Sequence, residues 1–100
     1  MPVTNPKLFT YLGFCIRKGA LVRGVNAIQA CRKPIYLLLL CSSASANTVK
    51  EAESIALRRG LPLFTVDDLE GLVQKQNCRL AAVTDQKLGE AALAALQGQN

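Results

Sequence analysis

The sequence predicts an α/β fold: a three-layer α/β/α sandwich around a small mixed four-stranded sheet. Three observations lead there. The run Ile35–Cys41 is continuously apolar and reads as a strand buried on both faces. Segments of helical and strand character alternate along the whole chain, which implies a sheet covered by helices on both sides. One hundred residues, half of them hydrophobic, fit one domain (residues 1–100) with one core and no need of metal or disulfide staples.

Asn5-Pro6 opens the first helix, Asn as N-cap and Pro at the first helical position. Leu8, Leu12, Cys15 and Ile16 then recur at helical spacing, and Gly19 after Arg17-Lys18 is a stop signal. Ala20–Arg23 is a short strand that Gly24 breaks. Val25–Lys33 reads as a second helix with Ile28 and Cys31 as its apolar contacts, and Pro34 cannot continue it. Periodicity does not separate strand from helix in Ile35–Cys41, but its length and flanking punctuation fit a strand. Ser42–Ala46 is a small-residue loop. Ser45 or Asn47 caps a third helix that ends at Arg59, with Val49, Ala52, Ile55 and Ala56 inward and Gly60 as C-cap. Leu61–Thr65 is a strand. Asp67–Val73 is a short helix with acids at its positive end. Lys75–Cys78 is a loop and Arg79–Thr84 a strand. Asp85 caps an Ala-rich last helix with Leu88, Ala92, Ala95 and Leu96 on one face, and fraying is expected from Gly98.

The chain contains no His, the usual base of Ser and Cys nucleophile systems and the commonest metal ligand. It has no GxGxxG, Walker loop or GxSxG. Asp67-Asp68 reads as a solvated helix start rather than an acid/base dyad. Cys41 ends the apolar strand, a place where α/β proteins bind ligands, but no base accompanies it. The expectation is a protein that is not an enzyme and needs no cofactor or metal. Cys15, Cys31, Cys41 and Cys78 match no CxxC or zinc spacing and read as reduced structural thiols, all but Cys78 among apolar neighbours. The apolar run is too short to cross a bilayer, and Met1–Thr4 has no signal-peptide character, so a cytoplasmic location is expected.

The net charge of +5 is uneven. Residues 1–59 carry nine Lys/Arg and two Glu, a net +7, and residues 60–100 three Lys/Arg and five Asp/Glu, a net −2. A basic N-terminal half suggests an anionic partner, of which nucleic acid is the commonest. Arg17, Lys18, Arg23, Arg32 and Lys33 flank the Gly24 turn in sequence and read as a phosphate-contacting patch. Tyr11 and Phe14 read as core residues of the first helix. Asn26 reads either as the cap of the second helix or as a base contact.

Three stretches in this order and spacing resemble one family. They are Leu12-Gly13 with Arg17–Gly24, Leu37–Cys41 with Ala44–Lys50, and Ala81–Asp85. The chain resembles the kink-turn-binding ribosomal proteins and is most similar to their small bacterial YlxQ-like branch. The resemblance spans about Leu8 to Leu96. It implies binding of structured RNA, including ribosomal RNA, at one end of the sandwich, with protein partners in a ribonucleoprotein. Gly24 and Asn26 match the family's G-x-N-E segment, Ala44-Ser45-Ala46 its middle loop, and Gln76–Arg79 its third loop by position. The implied RNA contacts are then Arg17, Lys18, Arg23, Gly24, Asn26, Lys33, Ala44, Ser45, Ala46 and Arg79. The family's Glu after the Asn is Ala27 here, and its Lys three residues further on is Ala30. These departures support a second expectation, a protein-interaction module on the same scaffold. A third is a detached substrate-binding domain like that of some RNA methyltransferases.

Overall fold

The computed structural model describes residues 6–98. In chain order these form α1 (Pro6–Lys18), β1 (Leu21–Arg23), α2 (Val25–Ala30), β2 (Leu37–Cys41), α3 (Ala46–Arg59), β3 (Leu63–Val66), α4 (Leu69–Val73), β4 (Leu80–Val83) and α5 (Gln86–Gln97). The strands form one sheet in the order β1-β4-β2-β3. β2 and β3 are parallel, whereas β4 runs antiparallel to both β1 and β2. The sheet is therefore mixed, as the sequence predicts.

All five residues of β2 are buried, and their alternation divides the core. Leu37, Leu39 and Cys41 face one layer, with Leu8, Leu12 and Cys15 of α1, Leu69 and Val73 of α4 and Ala92 of α5. Leu38 and Leu40 face the other, with Ile28 of α2 and Ala52 and Ile55 of α3. On β4, Ala81 and Ala82 stand beside Leu39 and Leu38. Small residues beside large ones let helices settle on both faces without voids. Each buried Leu contributes about 1.5–3 kcal/mol through removal from water. No polar or charged side chain among the described residues is buried. Gly89 of α5 is buried too: a Cβ there would stand 2.8 Å from the Cβ of Tyr36, so only glycine lets α5 press this closely onto the start of β2.

Several elements differ from the sequence reading, each for a local reason. α2 stops at Ala30, not Lys33. Cys31 is already extended, and Arg59 of α3 donates to the carbonyls of Ile28 and Cys31, closing the helix end. Pro34 also biases Lys33 away from helical backbone. Ile35 and Tyr36 precede β2, although the Tyr36 amide already donates to Val83. β3 begins at Leu63, because the Leu61 amide donates to Ala56 in the closing turn of α3. α4 begins at Leu69. Asp68 lies outside it as a left-handed cap whose carboxylate accepts from the Gly71 amide. Ser45, not Asn47, caps α3, and Asp85 caps α5 as expected. The Asn5 cap lies outside the described residues. Cys78 is buried and Cys31 partly exposed, the reverse of what their sequence neighbours suggest, and all four cysteines are free thiols. Phe14 is 42% exposed, so it is not a core residue, whereas Tyr11 does pack against the α1 layer. No helix among the described residues is long and apolar enough to cross a membrane.

Candidate functional site

One end of the sheet gathers the parts that the sequence singled out around Gly24. The Gly24 amide donates to Leu80 O, the Cys41 amide to Arg79 O and the Ser42 amide to Val66 O, each at 2.8 Å. These bonds bring together the start of α2, the turn after β2, the turn after β3 and the 74–79 loop before β4.

Gly24 is the N-cap of α2, at φ 99 and ψ 148, a region essentially reserved for glycine. No side chain caps this helix, so its first amides lack an intrahelical partner and face outward. Asn26 is exposed on the first turn. Because Gly24 is the cap, the capping role considered for Asn26 falls away, and its amide is available for a ligand. Ala27 is exposed beside it. In the middle loop, Ser45 Oγ accepts from the Thr48 amide at 3.2 Å and lies 3.2 Å from Thr48 Oγ1. Ala44 packs against the α2/α3 layer and Ala46 starts α3, so the loop is held as a defined turn.

The third loop is held by Glu70. Its carboxylate pairs with Arg79 Nη1 at 2.9 Å and accepts from the Asn77 amide. Gln74 and Asn77 of this loop have positive φ, as has Asp68. The Arg79 hydrogen bond, followed by the Asn77 amide, holds the Glu70 carboxyl below its usual range. Arg79, partly exposed, therefore already has an anionic partner. Arg23 is engaged as well: its Nη1 donates to Val73 O at 2.9 Å and ties β1 to the end of α4. Cys41 lies beneath these groups, with its Sγ 3.1 Å from Ser43 Oγ. Burial pushes its thiol up, but the Ser43 hydroxyl, the Ser43 and Leu69 amides and the Arg79 charge outweigh that, and the net shift is downward. In contrast, burial pushes the Cys15 thiol up to about 11. Among the described residues, no group of three or more His, Cys, Asp or Glu side chains could hold a metal ion.

The structure does not bring Lys18 and Lys33 to this end, and Arg17 comes only as near as the groove it lines with Gln74 of the third loop. Arg17 and Lys18 close α1 before β1 begins, and Lys18 pairs with Asp85 beyond the far end of β4. The length of β1, three residues or about 10 Å, separates them from Gly24. Lys33 lies in the 31–36 connector, which reaches the sheet where Tyr36 bonds Val83, again at the far end. Proximity in sequence placed all five basic residues together, whereas a strand between them sends them to opposite ends. Charge follows this division. Around the Gly24 end, leaving aside Lys7 at the start of α1 and Glu53 midway along α3, Arg23, Lys50, Lys75 and Arg79 are matched by Glu51, Asp67, Asp68 and Glu70. At the far end, Arg17, Lys18, Arg32, Lys33, Arg58, Arg59 and Lys87 outnumber Asp85 and Glu90. Sequence reasoning missed Glu70 altogether. Its partner is nine residues away, a spacing that no local pattern signals.

The architecture defines a class: a three-layer sandwich with a four-stranded sheet ordered β1-β4-β2-β3. Two solved structures share it. A protein of unknown function from Bacillus halodurans superposes with a TM-score of 0.77 at 22% identity, over 91% of this chain and 97% of the other. The 15.5 kD RNA-binding protein of Giardia lamblia superposes with a TM-score of 0.69 at 16% identity, over 93% and 84%. At these identities the likeness is one of fold. No protein-family model matches the sequence, and a search of curated proteins finds no match.

Proposed function

We propose that the protein binds structured RNA of the kink-turn type through the Gly24 end of its sheet, without catalysing a reaction. The observation that carries this reading is the meeting, at one sheet end, of an uncapped helix start at Gly24 with two well-held loops. A fold shared with an RNA-binding protein from Giardia supports it. The α2 amides and Asn26 would approach base edges, and Arg79 and Arg23 would turn toward phosphates. Lys18 and Lys33, at the far end, would contact only a longer RNA that passes round the domain. Ribosomal RNA is the proposed source, with neighbouring proteins in a ribonucleoprotein as further partners. The lack of His supports a non-catalytic role.

A second reading, a protein-interaction module, is favoured by Ala27 and Ala30, which cannot accept a base proton or pair with a phosphate. The balanced charge of the Gly24 end favours it as well.

A labelled kink-turn RNA, titrated at several salt concentrations, separates the two. The RNA reading expects binding that weakens steeply with salt. It also expects loss of binding in Gly24→Val, since a branched side chain cannot adopt the Gly24 backbone conformation without about 1–3 kcal/mol of strain. Restoring the missing groups in an Ala27→Glu/Ala30→Lys variant raises affinity. No binding by the natural protein at low salt would transfer the case to the interaction module.

A further inference from the structure

The outer side of α1 carries a groove that meets the Gly24 end only at Gln74. It has a volume of about 450 Å³ and is lined by Phe9, Thr10, Gly13, Ile16, Arg17 and Gln74. Its features are chemically selective. Phe9 is 50% exposed, an aromatic face left in solvent. Gly13 forms the floor, and a Cβ there would meet nothing within 4 Å. A glycine in the middle of a helix weakens it relative to alanine, and here no packing contact requires one. Its effect is to keep the floor open to the helix backbone. Arg17 sits at one end of the groove with its guanidinium 5.0 Å from the Phe14 ring centroid. α1 contains no acidic residue, and among the described residues no carboxylate pairs with Arg17.

Phe9 and Arg17 are two helical turns apart, about 12 Å along the axis, with Gly13 midway. A ligand that fills this groove presents a flat π face at one end, an anion at the other and a compact linker between them. A nucleotide within a chain has that layout: base, ribose, phosphate. Arg17 is followed in α1 by Lys18, so the groove opens at its cationic end beside a second basic side chain, one whose charge Asp85 partly offsets. An acidic peptide offers the charge but not the regular alternation of flat face and anion. We infer that the α1 groove binds an unpaired nucleotide of single-stranded RNA, its base on Phe9 and its phosphate at Arg17. The inference takes the class of ligand from the proposed function but concerns a separate surface.

Fluorescence anisotropy of a labelled single-stranded oligouridylate with the full chain tests it. The expected result is binding that weakens as salt rises. Phe9→Ala lowers affinity about fivefold or more, the low end of what losing one stacked base costs. Gly13→Gln does the same by filling the groove. Its folding is secure, because glutamine is the better helix former and its Cβ meets open space. Arg17→Glu lowers affinity and flattens the salt dependence. Phe9→Ala and Gly13→Gln keep wild-type affinity for a kink-turn RNA that has no single-stranded tails. Absence of oligouridylate binding at low salt overturns the inference, as does binding that Gly13→Gln leaves undiminished. Tighter binding of an acidic aromatic peptide at the groove also overturns it and makes the groove a protein-docking surface. Failure with the kink-turn RNA alone overturns the function proposed for the Gly24 end and leaves the groove standing.

Discussion

The two ends of the sheet are built from the same strands but offer a ligand different things. The Gly24 end presents backbone: uncapped amides of α2, a serine-capped turn and a loop held by Glu70, with acids and bases close to balance. The far end presents charge: seven basic residues against two acidic ones, leading into a groove with an exposed aromatic. Fixed amides and a shaped turn discriminate between ligands, whereas excess charge attracts polyanions with little regard to sequence. Net charge, read from the sequence, pointed to an anionic partner. The structure shows that this charge lies mostly away from the end with the better-defined geometry.

The change with the largest effect removes what the ends share. Leu39 is fully buried in the middle of β2. Leu39→Ala is expected to cost about 2–5 kcal/mol in urea-induced unfolding. Binding of paired and of single-stranded RNA should then fail together, at the same denaturant concentration. If one persisted after the other was lost, the ends would not depend on a common core.

A smaller effect separates them. Glu70 occupies Arg79 as a phosphate would. Glu70→Gln should free the guanidinium, raise affinity for kink-turn RNA and steepen its salt dependence by about one unit of logarithmic slope. A filter-binding series across salt concentrations reads this directly, with oligouridylate as the unaffected comparison. An unchanged slope would show that Arg79 meets no phosphate.

The smallest effect concerns acid. Among the described residues, each end has a partly exposed ion pair in which the carboxylate is held below its usual range. At the Gly24 end, Arg79 lowers Glu70. At the far end, the Leu88 amide, followed by Lys18, lowers Asp85. A depressed carboxylate stabilises the folded state fully above its ordinary value, 4.5 for Glu70 and 3.8 for Asp85. That stabilisation is lost as pH falls through the lowered values. Urea midpoints measured from neutral pH downward should therefore hold steady and then decline below the ordinary carboxylate range. Asp85→Asn should shallow the decline by removing one of the two contributions, while Glu70→Gln removes the other.

Much of the fold could be read from local signals. Pro34 and Ser42 bracket an uninterrupted apolar run, and Ser45, Gly60 and Asp85 mark helix ends by chemistry that acts within three or four residues. What could not be read depends on contacts between distant parts. The Glu70–Arg79 pair, the Arg23–Val73 bond and the closing of α2 by Arg59 join residues that no spacing rule relates. The same cause misassigned Cys31 and Cys78, whose burial depends on the layer above them and not on their sequence neighbours. At the candidate site, the glycine turn and the middle loop were legible because a positive φ and a helix cap have residue signatures. The distribution of basic residues was not, since a list of charges does not say at which end of a strand each one emerges.

The bond from Arg23 to Val73 has a thermodynamic consequence. Val73 ends α4, and the next residue, Gln74, forms part of the α1 groove. One short helix end is thus fastened to the Gly24 end on one side and borders the groove on the other. If a phosphate draws Arg23 away from Val73, the groove loses a restraint on its wall. If a nucleotide repositions Gln74, the acceptor of Arg23 shifts with it. Linkage requires these two influences to be equal: whatever factor one RNA segment applies to the affinity of the other is returned unchanged.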